Sequence, residues 1–142
     1  MALELKDGEL ANLLSLDGGG IKGISSLVII KAIMDKVAEI EGGATTPRKP
    51  VDYFHLAGGT STGGIIAVML FRLRMTPQQA IDAYMKVGAD VFGTKVKGGA
   101  ASFPAEPLLA AIDKITEQYG DKTQKGNAPL VDNQAKMWVF MS

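Results

Sequence analysis

The segment 53–70 constrains the fold more than any other part of the sequence. A short apolar run suited to a strand leads into Gly59-Thr60-Ser61-Thr62-Gly63, and the apolar run that follows is better suited to a helix. A strand that turns so sharply into a helix brings neighbouring backbone too close for side chains. Glycine is therefore required two positions before and two positions after the central residue. The pattern predicts a strained turn with Ser61 at its tip.

Ser61 is a candidate nucleophile because of this setting. At such a turn the serine hydroxyl stands above the sheet, and the N-terminus of the next helix points its N–H groups toward the place where negative charge would develop. The G-x-S-x-G pattern alone is weak evidence in a chain with 17 glycines. The strand-like run before it and the helix-like run after it are what favour the interpretation.

The composition excludes several kinds of partner and site. The 142 residues suit one domain, and a hydrophobic content of 46% is enough for a substantial core. Fifteen basic residues balance fifteen acidic residues, so the chain has no large positive field, and we expect no nucleic acid partner. There is no cysteine, which excludes disulfides and thiolate metal sites.

Strand-like and helix-like segments alternate in the first part of the chain. Leu13–Leu16 is a short apolar run that ends at Asp17 and three glycines, and the segment 21–40 repeats apolar residues near the helical period. Val51–Gly58 predicts the second strand. Two strands separated by a helix form a parallel pair. We therefore expect an α/β fold of the three-layer α/β/α type with a mostly parallel sheet.

The second part of the chain continues the alternation. A capping box at Thr76 and Gln79, with proline between them, predicts a helix to about Val91. The segment 93–103 is rich in glycine and lysine, and we expect a loop there, with a lid over the site as the functional alternative. A further helix is predicted after Pro104, and a third strand over 136–141.

A second glycine turn follows the first predicted strand and leaves two interpretations open. Gly18, Gly20 and Gly23 satisfy the dinucleotide-binding pattern G-x-G-x-x-G, which predicts a nucleotide- or phosphate-binding module. Alternatively, the Gly18–Gly20 amides form an oxyanion hole for a tetrahedral intermediate on Ser61. Parallel strands place both turns at the same edge of the sheet, so one site would use both. We favour the oxyanion hole for that reason.

Together the two turns resemble the signatures of the patatin-like phospholipases, Asp-Gly-Gly-Gly-x-[Arg/Lys]-Gly and Gly-Thr-Ser-[Thr/Ala]-Gly in this order. The resemblance covers about residues 13–91 and implies a lipid acyl hydrolase of the phospholipase A or acylglycerol esterase type, which acts in lipid catabolism with a Ser-Asp dyad. By the resemblance, Ser61 is the nucleophile, and Gly18, Gly19 and Gly20 form the oxyanion loop. The other matching motif positions are Asp17, Lys22, Gly23, Gly59 and Gly63.

The resemblance also implies the surroundings of the enzyme. The substrate is a lipid ester, and the implied chemistry needs no cofactor and no metal ion. We expect a cytoplasmic protein that contacts membranes or lipid droplets peripherally, because the sequence shows no export signal and no apolar run long enough to span a bilayer. A noncatalytic α/β interaction domain stays open as a further alternative.

The general base is the part of the site that the sequence does not supply. His55 is the only histidine and precedes Ser61 by six residues on the predicted strand, so it is expected to be a strand residue with a satisfied ring. The family's catalytic aspartate lies in an Asp-Gly-Gly or Asp-Gly-Ala motif downstream, and no aspartate after Ser61 is followed by glycine. We expect residues 1–142 to be one incomplete domain, truncated at its C-terminus, and a poor hydrolase by itself.

Overall fold

The structure is a computed structural model that describes residues 8, 10–43, 45–92, 105–119 and 137–140. The predicted loop 93–103 lies outside the described residues. The elements in chain order are β1 Leu13–Leu16, α1 Gly23–Ile40, β2 Leu56–Thr60, α2 Thr62–Ala67, α3 Pro77–Phe92, α4 Ala105–Tyr119 and β3 Met137–Phe140.

The strands form one small parallel sheet in the order β1-β2-β3. Leu16 of β1 pairs with Gly59 of β2, and Thr60 of β2 pairs with Phe140 of β3. Parallel strands need a crossover between them, and helices separate these strands along the chain. The predicted mixed α/β fold with a parallel sheet is therefore confirmed.

The two faces of the sheet differ in burial. Leu16 is 4% exposed and Ala57 is fully buried, and both belong to one hydrophobic core. Leu13, three positions before Leu16 and therefore on the opposite face, is 62% exposed. Because alternate residues of a strand point to opposite faces, the core lies on one face of the described sheet. The expected second layer of helices on the other face stays a prediction.

Helix α1 follows a 3₁₀ turn at Gly20–Lys22, so the predicted helix 21–40 is confirmed except for this first turn. Leu27, Ile30 and Met34 lie three and four residues apart and are buried in the core. The helix is apolar on other sides as well, and its exposed apolar residues include Val28, Ile29, Ile33 and Ile40.

The second strand begins later than the predicted Val51–Gly58. Pro50–Asp52 forms a 3₁₀ turn, and the backbone N–H groups of Tyr53 and Phe54 both donate to the Pro50 carbonyl at 3.0 Å. Val51 is apolar because it is buried in the core, at 5% exposure, and not because it belongs to the sheet. The strand instead continues through two glycines to Thr60, one residue beyond Gly59, the last residue that pairs with β1.

The helix after the glycine turn runs through the middle of the core. Helix α2 continues into a π-helical turn at Val68–Arg72, closed by a 3.0 Å bond from the Leu73 N–H to the Val68 carbonyl. The large side chains of Met69, Leu70 and Phe71 are at most 1% exposed. Each stabilises the fold by about 1.5–3 kcal/mol. Ser61 is thus joined through α2 to a segment whose large side chains are buried in the core.

Helix α3 begins at the predicted capping box. The Thr76 N–H donates to Gln79 Oε1 at 2.9 Å, and the Gln79 N–H donates to Thr76 Oγ1 at 3.2 Å. This start directs Ala80, Ala83 and Tyr84 into the core. The predicted helix after Pro104 is α4, which contacts α3.

Candidate active site

Ser61 occupies a strained turn between β2 and α2. Its backbone dihedrals are φ 55° and ψ −126°, and Ser61 and Arg74 are the two non-glycine residues of the described chain with positive φ. A side chain in such a region costs about 1–3 kcal/mol, which the surrounding structure must offset. The residue is exposed, as a serine presented to a substrate must be.

The glycines on either side of Ser61 allow this turn. A Cβ on Gly59 would overlap the carbonyl group of Gly63 and lie 2.6 Å from the Gly64 nitrogen. A Cβ on Gly63 would overlap the Leu16 carbonyl and lie 2.8 Å from the Asp17 carbonyl oxygen. Backbone occupies both places, so no other residue fits without movement. Gly63 also brings the turn after β2 against the end of β1.

Gly18 is the residue of the glycine turn after β1 that contacts Ser61. A Cβ at this position would lie 3.0 Å from the Ser61 Cβ, 3.6 Å from the Ser61 Oγ and 3.1 Å from the Thr60 carbonyl oxygen. The two glycine turns therefore meet at the same edge of the sheet, beside the candidate nucleophile.

The amides of Gly19 and Gly20 converge on a side chain that the sequence analysis did not single out. Both N–H groups donate to the Thr62 hydroxyl oxygen, each at 3.2 Å. Thr62 is 4% exposed, so its hydroxyl has little access to water and is satisfied by the loop. Gly20 has φ 58°, which favours glycine. In this structure, these two donors hold the loop to α2.

Tyr84 of α3 holds the same loop from another side. Its hydroxyl donates to the Gly20 carbonyl at 2.6 Å, and the side chain is 4% exposed. Burial raises the pKa of Tyr84 above its usual value, and a hydrogen bond with Thr62 opposes this shift. A Cβ on Gly23 would lie 2.5 Å from the Tyr84 hydroxyl oxygen. Gly23 thus makes room for this tyrosine.

The other charged motif residues lie at the surface. Asp17 and Lys22 are exposed, and the Lys22 N–H donates to the Gly19 carbonyl at 3.2 Å, which closes the 3₁₀ turn. The sequence assigns both residues to the motif, and their side chains have no role in the contacts described above.

His55 lies before the first residue of β2, at the end of the strand opposite Ser61. Its ring Nδ1 accepts the Asn12 backbone N–H at 2.9 Å, and its backbone N–H donates to the Asn12 carbonyl at 2.8 Å. The ring is therefore occupied in joining the segments that precede β1 and β2. The ring is bonded as expected, but His55 precedes β2 instead of belonging to it.

The aspartates after Ser61 do not form a dyad with it among the described side chains. Asp82 and Asp113 are exposed on α3 and α4, and Asp82 accepts a 2.9 Å hydrogen bond from Gln78 on its own helix. The side chain of Asp90 and the residues Asp121 and Asp132 lie outside what the structure describes. In the described part of the chain, no group of three or more His, Cys, Asp or Glu residues is arranged to hold a metal ion.

Comparison with known proteins identifies the family. The sequence matches the family described as Patatin-like phospholipase over residues 14–139, which include both glycine turns, β2 and all but one residue each of β1 and β3. The chain belongs to the patatin-like phospholipase family. It is 41% identical to Patatin-like protein 1 of Arabidopsis thaliana over 118 residues, which make up 79% of this chain and 28% of that protein.

Patatins of Solanum tuberosum are also similar to this patatin-like chain. Patatin-2-Kuras 4 is 41% identical over 63 residues, and Patatin is 40% identical over 63 residues. Each match covers 44% of this chain and 16% of the potato protein. The chain thus spans well under half the length of these relatives. No solved structure matches it. Within the described residues, no helix has the length and apolar character needed to cross a membrane.

Proposed function

We propose that this chain carries the nucleophile and the oxyanion loop of a lipid acyl hydrolase. One observation carries the proposal: Ser61 is held at a strained strand-to-helix turn with Gly18 of the second glycine turn against its side chain. Membership of the patatin-like phospholipase family supports a lipid ester as the substrate. We propose phospholipids or acylglycerols, met at a membrane or lipid-droplet surface.

The proposed reaction begins at the Ser61 hydroxyl. Its oxygen attacks the ester carbonyl carbon while a carboxylate takes the proton, and the carbonyl oxygen becomes an oxyanion. The intermediate collapses, the alcohol leaves with a proton, and water hydrolyses the acyl-enzyme. We propose an aspartate as the carboxylate, supplied by the full-length protein, where further elements complete a three-layer α/β/α domain.

The Gly18–Gly20 loop is proposed to stabilise the oxyanion. Gly18 is the loop residue in contact with Ser61, whereas the Gly19 and Gly20 amides donate to Thr62. Donors held rigidly in a loop stabilise developing charge without reorganising during the reaction. The part of the loop nearest Ser61 therefore serves the substrate, and the part farther along fixes the loop to α2.

A hydrolysis assay tests the proposal. The full-length protein, with its reading frame taken from the complete transcript, is assayed on a phospholipid, a diacylglycerol and a soluble nitrophenyl ester. Ser61→Ala is expected to lower hydrolysis by about 10³-fold or more. Ser25→Ala, which removes the hydroxyl of an exposed serine on α1, is the matched control and is expected to leave the rate unchanged. Hydrolysis that survives Ser61→Ala would contradict the proposal.

Nucleotide binding by the same loop is the alternative that the geometry favours less. Two of the loop's amide donors are already bonded to Thr62, and Asp17 adds negative charge at the start of the turn. A phosphate would have to displace the Thr62 hydroxyl from these two amides and lie near the negative charge of Asp17. Retention on a nucleotide resin that is lost in Gly20→Ala, together with no esterase activity, would support this alternative instead.

A further inference from the structure

We infer that Thr62 and Tyr84 are positioning residues, which hold the Gly18–Gly20 loop where it can serve Ser61. The inference rests on the proposed function of Ser61 and assigns to the loop two supports that lie outside the glycine motif. Neither side chain is placed in contact with the substrate. Each acts through the loop backbone.

The loop needs such supports because of its own sequence. Three consecutive glycines have more backbone freedom than any other tripeptide, and no side chain of the loop packs against the core. Preorganised donors must nevertheless keep their places within a fraction of an ångström to stabilise an oxyanion. Contacts from outside the loop must therefore supply the rigidity.

Gly20 is held at both of its backbone polar groups. Its N–H donates to the Thr62 hydroxyl at 3.2 Å, and its carbonyl accepts the Tyr84 hydroxyl at 2.6 Å. The Thr62 hydroxyl also accepts the Gly19 N–H at 3.2 Å. Three successive peptide groups, 18–19, 19–20 and 20–21, are thus bonded to two side chains, each of which is 4% exposed. Burial keeps water from competing for these bonds.

Thr62 and Tyr84 belong to different helices, and the position of each helix is fixed by other contacts. Thr62 is the first residue of α2, directly after Ser61, so it moves with the nucleophile. Tyr84 stands on α3, whose start is set by the capping box at Thr76 and Gln79. The loop is therefore bonded both to the residue next to the nucleophile and to α3. Loss of either side chain leaves the glycines free to move away from Ser61.

The test measures how fast a fluorophosphonate reacts with Ser61 in the full-length protein. In the reaction, the Ser61 oxygen bonds to phosphorus, its proton goes to the proposed carboxylate base, fluoride leaves, and the phosphoryl oxygen takes the position of the oxyanion. Thr62→Val keeps the shape of the side chain and removes the hydroxyl, Tyr84→Phe does the same on α3, and Thr62→Ser keeps the hydroxyl. Tyr53→Phe is the matched control, since Tyr53 donates to Glu41 away from the loop.

Thr62→Val and Tyr84→Phe are expected to slow the reaction by about 10-fold to 100-fold, as small displacements of catalytic groups do. Thr62→Ser is expected to restore a rate close to that of the wild type, and Tyr53→Phe to leave it unchanged. Unfolding in urea is measured for every variant, and rates are compared at a temperature at which all are folded. Tyr84→Phe retains the ring and its packing, so it tests the inference even if Thr62→Val does not fold.

The outcomes separate the inference from the proposed function. If the wild type reacts at Ser61 while Thr62→Val and Tyr84→Phe are only less stable, the two side chains are purely structural and the inference is wrong. A faster reaction in Thr62→Val would show that its hydroxyl competes for the donors, which also overturns the inference. If the wild type does not react at Ser61, the proposed function fails, and the inference fails with it.

Discussion

The two glycine turns of the site are built on different physical grounds. In the turn after β2, Gly59 and Gly63 are required because backbone atoms occupy the places of their side chains. In the turn after β1, Gly20 is required by its positive φ of 58°, and the loop is fixed by side-chain hydrogen bonds from Thr62 and Tyr84. The first turn is thus held by sterics, and the second by bonds that can be removed singly.

The difference teaches which part of the site is adjustable. Backbone atoms packed against backbone atoms cannot move aside as a flexible side chain can. The position of Ser61 is therefore as fixed as the core residues that follow it. The loop that serves it depends on hydroxyl groups from two helices. Changes in the first turn should therefore act on folding, whereas changes in the second should act on reactivity at a smaller loss of stability.

The largest expected effect comes from Gly63→Ala. The new Cβ would overlap the Leu16 carbonyl, and neither strand nor helix can move without disturbing the core. We expect a loss of about 3 kcal/mol or more in the free energy of unfolding, measured by urea denaturation. Gly42→Ala is the control, since its φ of 94° is strained for alanine but its side-chain position is open. A Gly63→Ala protein as stable as this control would contradict the steric account.

Gly20→Ala is expected to have an intermediate effect on stability and a clear effect on rate. Alanine in this backbone region costs about 1–2 kcal/mol, and relaxation of the strain would shift the loop. Gly43→Ala is the matched control, because Gly43 also has a positive φ, 72°, with nothing within 4 Å. Both variants should lose similar stability, but only Gly20→Ala should slow fluorophosphonate labelling. Equal labelling rates would show that the loop does not serve Ser61.

A smaller effect is expected from the titration of Tyr84 at high pH. Burial raises its pKa in the folded protein above the ordinary value of 10.0. The stability that this shift contributes is fully present below pH 10.0 and is lost as the pH rises through the folded pKa. The wild type should therefore lose stability more steeply than Tyr84→Phe above this pH, as measured by urea unfolding at several pH values. Parallel curves would show that the folded environment does not hold the tyrosine protonated.

The smallest effect is expected for Tyr53→Phe, which tests the comparison from outside the site. The Tyr53 hydroxyl donates to Glu41 at 2.8 Å, and Arg48 pairs with the same carboxylate at 2.7 Å near the surface. Partly exposed interactions of this kind contribute little because water and salt screen them. The urea midpoint and the labelling rate should both stay close to those of the wild type. A labelling defect as large as that of Tyr84→Phe would mean that loss of any tyrosine hydroxyl disturbs the site.

Local patterns predicted the parts of the fold that depend on local physics. Leu13–Leu16 and the capping box at Thr76 were predicted at the observed positions, because a glycine stop and a cap act within a few residues. The second strand was predicted too early, since buried apolar character at Val51 does not distinguish a strand from a 3₁₀ turn begun by Pro50. The π-helical turn at Val68–Arg72 had no signal in the apolar pattern.

Local sequence patterns also predicted only part of the site. The glycines around Ser61 predicted its turn, because their spacing records backbone that passes nearby. The role of Thr62 was not predicted, since it occupies a variable position of the motif and its partners lie 43 and 42 residues away. Tyr84 lies within the helix predicted after Thr76, but its partner lies 64 residues away. Only the packing of α3 against the loop shows what its hydroxyl does.

The most direct test of the central claim is to map the site of fluorophosphonate attachment. The full-length protein is labelled and digested, and the modified peptide is identified by mass spectrometry. The account predicts a single adduct on Ser61 that is absent from Ser61→Ala and unchanged in Ser25→Ala. An adduct on another residue, or labelling that persists in Ser61→Ala, would contradict the assignment of Ser61 as the nucleophile.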